Sequence, residues 1–315
     1  MKKRIITALI MAAILIPAVV VPQLINVLDV IFMVFVAGAT IELLNMYDKE
    51  KKIALPLKII TVLLSFVLYF SIINFFASNV PALEESLMEK FLKLIKFDIV
   101  LNPAVALIAI LIILMSGLVF VSDYTVSDLG RIYIAIIYVG VCASAITVTR
   151  YLGVRFIFYL LIITTSTDIF ALVFGLTLGK HKMAPNISPK KTWEGAIGGS
   201  AVATTIGCLL IVLYPLFSKH FHDGASIEFF DGLFRYTDFS MAGKIIFAIV
   251  LSLFLSICSQ IGDLVASKLK RNYNIKDYSN IFPGHGGILD RFDSAFFASA
   301  IFLLFIIIEM NLFPW

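Results

Sequence analysis

The chain has 315 residues, of which 60% are hydrophobic and 15% charged, and its formal net charge is +4. Soluble domains carry about 25% charged residues. A chain this apolar lacks the polar surface to close over its core in water, so a soluble globular fold is excluded in favour of one solvated by lipid. No basic stripe stands apart from the hydrophobic pattern, which argues against nucleic acid as a partner.

A bilayer span needs about 20 mostly apolar residues. That criterion predicts about nine membrane helices, roughly Ile5–Val21, Leu24–Met46, Ile53–Phe76, Ile99–Val121, Ile132–Val148, Phe156–Leu178, Ala196–Phe217, Lys244–Ala266 and Phe292–Leu312. The expectation is an all-α, polytopic integral membrane protein forming one helical domain over residues 1–315. Its N-terminal spans occupy 1–150 and its catalytic spans 151–315. Met1-Lys2-Lys3-Arg4 is a basic head, and the apolar run behind it passes Val21 without a small-x-small cleavage site. A retained first helix is expected, rather than a cleaved signal. Between the third and fourth spans, Leu83, Leu87, Phe91, Leu92, Leu94 and Ile95 alternate with Glu84, Glu85, Glu89, Lys90, Lys93 and Lys96. That spacing predicts an amphipathic helix lying on the membrane interface. Cys142, Cys208 and Cys258 all lie in apolar stretches with no zinc-like spacing, and are expected to be small buried hydrophobes.

Lys and Arg concentrate on the side that receives the N-terminus and the loops after the second, fourth, sixth and eighth spans. The positive-inside rule makes that side cytoplasmic and puts Trp315 outside, in a cell inner membrane. Most of the bias comes from the loops after the sixth and eighth spans, whose cations also suit phosphate. Lys2, Lys3 and Arg4 are the independent support.

Ionisable residues are densest at Ser267–Asp293, with Asp263 just ahead. Asp263, Ser267 and Lys270 are spaced i, i+4 and i+7 and share a helix face. Asp290 and Asp293 begin the last span, where a helix N-terminus offers unpaired backbone donors. Gly284, Gly286 and Gly287 allow a tight turn around His285. Carboxylates for a hard cation beside Lys268, Lys270, Arg271, Lys276 and Arg291 for phosphate oxygens meet the requirements of phosphoryl or nucleotidyl transfer. The competing reading is a solvated loop, strongest for Lys268, Lys276 and Asp277. A second cluster runs from Asp168 to Glu194. Asp168 sits in mid-span, where an ionised group is costly and marks a functional site unless a neighbouring hydroxyl satisfies it. The loop behind it carries Ser188 and four lysines, Lys180, Lys182, Lys190 and Lys191, and is stiffened by Pro185 and Pro189.

Ser267, Lys270, Arg271, Lys276, Asp277, Ser279, Pro283, His285, Gly286, Gly287, Asp290, Arg291 and Asp293 together resemble the consensus of the CTP-dependent phosphatidate cytidylyltransferases, also called CDP-diacylglycerol synthases. Ser188-Pro189-Lys190-Lys191-Thr192-Trp193-Glu194-Gly195, with Asp168 upstream, is similar to that family's second motif. Arg4-Ile5-Ile6-Thr7-Ala8 and Glu42 resemble it more weakly. The resemblance implies Mg²⁺-dependent transfer of a cytidylyl group from CTP to phosphatidate at the cytoplasmic face of the bilayer, releasing pyrophosphate. Under it, Asp263 and Asp290 hold Mg²⁺, with room for a second cation such as K⁺. Lys270, Arg271, Lys190, Lys191 and Arg291 bind phosphates. Asp168 and Asp293 position metal or substrate, and Ser188, Ser267, Lys276, His285, Gly286 and Gly287 contact substrate. A homodimer is compatible with this reading. The alternatives are a CTP-dependent lipid or polyprenol kinase and, in another class, a transporter using Asp168, Glu42 and Glu309 as intramembrane carboxylates.

Overall fold

A computed structural model describes residues 2–79, 102–221, 227–231 and 240–312. Among them the architecture is helical, with one two-stranded sheet. In chain order the elements are α1 (Lys2–Val20), a 3₁₀ turn (Pro22–Leu24), α2 (Ile25–Tyr47), α3 (Leu55–Asn79), α4 (Pro103–Phe120), α5 (Val126–Tyr151) and α6 (Val154–Thr177). They are followed by β1 (Lys182–Ala184), β2 (Ser188–Thr192), α7 (Trp193–Phe221), α8 (Met241–Asn272) and α9 (Leu289–Leu312). Eight of the described helices are long and apolar enough to cross a membrane, and α1 contributes a shorter apolar stretch, Leu9–Val20. The expected first span, Ile5–Val21, coincides with α1 to within a few residues. The amphipathic segment expected at residues 83–96 lies outside the described residues.

The helix ends follow local chemistry. Pro22 starts the 3₁₀ turn that separates α1 from α2. Asn102 caps α4 by accepting a 2.8 Å hydrogen bond from the Ala104 amide, with Pro103 in the first turn. Thr125 and Asp128 form a capping box at α5. Lys51 Nζ adds a 2.5 Å ion pair to the same Asp128 carboxylate.

The chain divides into two compact units, Met1–Val154 with Leu269–Phe292, and Arg155–Lys268 with Asp293–Trp315. In the first, α5 is the most buried span and packs against α2 and α3. Gly140 lies directly against Leu68, and the Tyr69 and Thr147 hydroxyls meet at 3.0 Å between α3 and α5. Arg150 is fully buried and donates from Nε to the Val19 carbonyl at 2.6 Å, while the Tyr151 hydroxyl donates to Asp29. In lipid, such pairings satisfy groups that water cannot reach.

In the second unit, α6, α7 and α8 share a buried hydroxyl network. Tyr159 and Ser252 meet at 2.8 Å, Thr167 and Ser256 at 2.7 Å, and Ser256 and Ser200 at 3.0 Å. Gln260 donates to Ser200 at 2.8 Å. Small residues let the helices approach closely enough for these bonds. A methyl at Gly199 would stand 2.7 Å from the Thr167 carbonyl oxygen. Cys142 and Cys258 are buried and Cys208 half-buried, all three as free thiols.

Candidate active site

The charged residues singled out above fall into one group in each unit. In the first unit the group is built on the end of α8, the connection after it and the start of α9. Lys270 occupies the last turn of α8. Its Nζ donates to Asp290 Oδ1 at 2.6 Å and lies 5.2 Å from the Tyr278 ring centroid. Both members of the pair are buried. Asp290 Oδ2 accepts from the backbone amides of Tyr278 at 2.8 Å and Gly287 at 2.9 Å. One carboxylate thus ties a lysine and two points of the connection to the first turn of α9. Phe282 and Gly286 form an antiparallel bridge with His285 inside the turn, and Gly286 takes φ +85°. A Cβ there would be strained and would stand 2.7 Å from Asp290 Oδ2.

Glu42 on α2 completes this group. It is 2% exposed, and its Oε1 accepts from the Ser279 hydroxyl at 2.6 Å and from the Ile288 amide at 2.8 Å. Its Oε2 accepts from the Leu289 amide at 2.9 Å. A carboxylate in mid-helix therefore caps the N-terminus of a helix far along the chain, where amides lack intrahelical partners and the helix dipole favours negative charge. Its intramembrane position is the signal that marks Glu42 in the sequence. Its partners are not readable there, because they are backbone atoms some 240 residues away.

The other expected residues of this group lie on the connection or on the helix turns that flank it. Arg271 is exposed and donates from Nη1 to the Ile275 carbonyl at 2.8 Å, and Lys276 and Arg291 are exposed. His285 is half-buried, and its Nδ1 is buried without a hydrogen-bond partner among the described residues. Tyr273, just beyond α8, stacks edge-on with Tyr47 at 5.3 Å and lies under Arg131. Burial raises its phenol above the usual range.

In the second unit the group sits on α6, the hairpin and α8. Lys191 Nζ is 2.6 Å from Asp263 Oδ2, with both side chains roughly one quarter exposed. Ser267 donates to Asp263 Oδ1 at 3.3 Å, as the i, i+4 spacing predicts. Asp168 is accessible on α6, within electrostatic reach of both Asp263 and Lys191, and accepts from the Ser294 hydroxyl at 3.3 Å. Asp293 accepts from the Ser294 amide at 2.8 Å. Lys190 is exposed on β2, and Ser188 pairs with Ala184 across the hairpin.

The segment that reads in the sequence as a proline-stiffened loop is this hairpin, held at its base by Glu194. The Lys180 and His181 amides donate to the Glu194 carboxylate at 3.1 and 3.2 Å, and His181 Nδ1 lies 2.6 Å from Oε1. Alternation over five residues is too short to distinguish from a loop by pattern alone.

Asp263 and Asp290 thus belong to different units, each already paired with its own lysine. Among the described residues there is no group of three or more His, Cys, Asp or Glu side chains placed to hold a metal. Asp168 and Asp263, two carboxylates sharing one lysine, carry an excess of negative charge at an accessible position. That suits a hard cation which takes one or two carboxylates and keeps water or phosphate for its remaining positions. Asp290 is different. It is buried, and both its oxygens are engaged.

The family profile described as the cytidylyltransferase family matches residues 2–308. The phosphatidate cytidylyltransferase of Bacillus subtilis (strain 168) is 33% identical over 314 residues, which is 98% of this chain and 97% of the relative. Those of Staphylococcus haemolyticus (strain JCSC1435) and Staphylococcus aureus (strain COL) are 36% and 38% identical over 193 residues, 61% of this chain and 65% of theirs.

Proposed function

This chain belongs to the cytidylyltransferase family, and we propose that it transfers a cytidylyl group from CTP to phosphatidate in a membrane. The observation that carries the reading is a lysine paired with a carboxylate in each of the two charged segments, Lys270 with Asp290 and Lys191 with Asp263. A phosphate oxygen of phosphatidate attacks the α-phosphorus of CTP. A new P–O bond forms, the α–β phosphoanhydride bond breaks, and pyrophosphate leaves with the electron pair. The nucleophile is already an anion, so the protein's task is to hold two polyanions together and to balance the charge growing on the leaving group.

The residues divide this work by what they touch. Lys190 and Lys191 on the hairpin, with Arg271 at the end of α8, Lys276 on the connection and Arg291 at the start of α9, supply cations for phosphate oxygens. The Gly286–Gly287 turn, free of side chains, lets substrate approach the backbone closely, and His285 and Ser267 add hydrogen bonds. Mg²⁺, when bound, neutralises phosphate oxygens and draws charge toward the leaving pyrophosphate. Asp263, with Asp168 beside it, would be its principal protein ligand. Asp290, held by Lys270 and two backbone amides, fixes the turn at the start of α9. Asp293 orients Ser294 beside Asp168, and a second cation such as K⁺ shares the phosphate-binding region. The cationic segments and the N-terminus face the cytoplasm, where CTP is found, and the helices cross the cell inner membrane.

The deciding experiment uses purified protein in detergent with phosphatidate, Mg²⁺ and CTP labelled at the α- or the γ-phosphate. The expected result is α-label in the lipid product and γ-label in released pyrophosphate. The γ-label in lipid would make the protein a CTP-dependent lipid kinase. Solute flux in sealed vesicles without nucleotide, and no labelled lipid, would make it a transporter.

A further inference from the structure

Between α7 and α8, below the hairpin, lies a groove of about 400 Å³. That volume is within the range of small-molecule sites, about 300–1,000 Å³. It is lined by the small residues Ala196 and Ala201, and walled by Trp193 and Ile197 on α7 and by Leu253 and Ile261 on α8. The four wall residues are 52%, 67%, 39% and 44% exposed. Ser200 and Gln260 also line it, but their polar atoms face each other and the backbone. Gln260 Nε2 donates to Ser200 Oγ at 2.8 Å and to the Ala196 carbonyl at 3.2 Å, and Ser256 donates to Ser200 as well. A groove whose polar groups are already paired favours an apolar occupant.

One end of the groove is polar. Asp263 is two residues beyond Ile261 on α8, and Lys191 is two residues before Trp193. These two residues form the 2.6 Å ion pair described above. At a rise of about 1.5 Å per residue, the wall from Leu253 to Ile261 runs about 12 Å along α8, and Asp263 stands about 3 Å beyond it. Both helices are long and apolar enough to cross a membrane. The combination is an apolar slot about 12 Å long that ends at a cation and a carboxylate. It matches a fatty acyl chain hanging from a phosphate headgroup.

We propose that the α7–α8 groove holds one acyl chain of the phosphatidate whose phosphate is held at Lys191, and that Ala196 and Ala201 set the length of chain accepted. The inference rests on the function proposed above and deepens it. Bulk lipid also covers membrane helices, but it has no phosphomonoester for Lys191 to select. A phosphomonoester dianion competes with Asp263 for Lys191 more strongly than the singly charged phosphodiester of bulk lipid, and that difference assigns the slot to substrate.

The test fills the slot. Ala201→Phe and the milder Ala201→Leu are purified in detergent and assayed for α-label transfer to dipalmitoyl and to dioctanoyl phosphatidate. The expected result is a rise of about tenfold or more in KM for the long-chain lipid, with KM and kcat for the short-chain lipid close to wild type, since each buried methylene adds severalfold to affinity. Equal effects on both lipids, or none on either, would overturn the assignment. A second measurement needs no variant at the groove. In nanodiscs of phosphatidylcholine, a small fraction of phosphatidate brominated on its acyl chain should quench Trp193 fluorescence more than the same fraction of brominated phosphatidylcholine. Trp315→Phe protein isolates the signal, because Trp193 is then its one tryptophan. Equal quenching by the two lipids would mean that bulk lipid fills the groove. Absence of α-label transfer by the wild-type protein would instead refute the underlying function, so the two failures are distinct.

Discussion

Lys270 Nζ lies 2.6 Å from Asp290 Oδ1, and this buried pair joins the last turn of α8 to the first turn of α9. Removing one partner strands a charge where desolvation is severe, which costs about 3–5 kcal/mol. Lys270→Met should therefore lower thermal stability in detergent by an amount of that order. Lys270→Met combined with Asp290→Leu should lose much less than the sum of the two single changes. Fluorescence-detected thermal unfolding of the four proteins reads the coupling, and additive losses would show that the pair does not act as a unit.

Glu42 acts on the same turn. It accepts three hydrogen bonds, from Ser279, Ile288 and Leu289. Glu42→Gln keeps the size of the side chain but removes its charge and turns one acceptor into a donor aimed at donors. The expected cost is about 1–3 kcal/mol for leaving a buried donor unsatisfied. Turnover should fall as well, because the α9 N-terminus and Asp290 lose their anchor. Glu42→Asp should recover less activity than its charge alone suggests, since it is shorter by one methylene. Steady-state assays with thermal unfolding on the same preparations check both effects.

The glycine turn allows no side chain. Gly286 has φ +85°, and a Cβ on Gly287 would overlap the Glu42 carboxylate. Gly286→Ala and Gly287→Ala should each destabilise by more than about 1 kcal/mol, beyond the usual glycine-to-alanine gain, because strain or steric overlap replaces a backbone fit. Gly130, whose Cβ would meet nothing, is the control, and Gly130→Ala should be neutral or slightly stabilising.

Much of this is legible in the sequence, and the residues show where legibility stops. Span positions follow from hydropathy, because each membrane helix satisfies its own backbone and needs only length and apolarity. Hydropathy ends the eighth span at Ala266, but α8 continues to Asn272. Its charged last turn carries Lys270 and Arg271 as helix, where hydropathy alone reads loop. The i, i+4 relation of Asp263 and Ser267 is readable as a local spacing, whereas the Lys191–Asp263 pair is not, since it depends on how a hairpin folds against a helix. Glu42 stands out as an intramembrane carboxylate, but its function as a cap on α9 exists only in three dimensions. Asp168 likewise stands out, and the structure gives it Ser294 as partner and Asp263 as neighbour.

That neighbourhood predicts a metal effect. Asp168 and Asp263 repel each other, with Lys191 as partial compensation. A divalent cation relieves the repulsion further. Asp168→Asn should raise the Mg²⁺ concentration needed for half-maximal turnover, and Lys191→Met should raise the KM for CTP or phosphatidate more than it lowers kcat. A chelator should abolish turnover of the wild type, with recovery on readdition of Mg²⁺. Titrations of Mg²⁺ against rate, at fixed CTP, check all three.

The most direct test of the account is the rate of α-label transfer from CTP to phosphatidate by purified Asp263→Asn protein that retains the wild-type thermal unfolding transition. The proposed function gives Asp263 the charge-neutralising ion in the transition state, so its loss should lower kcat by at least about 10³-fold. A rate within a few fold of wild type, at ordinary Mg²⁺ concentrations, would contradict it.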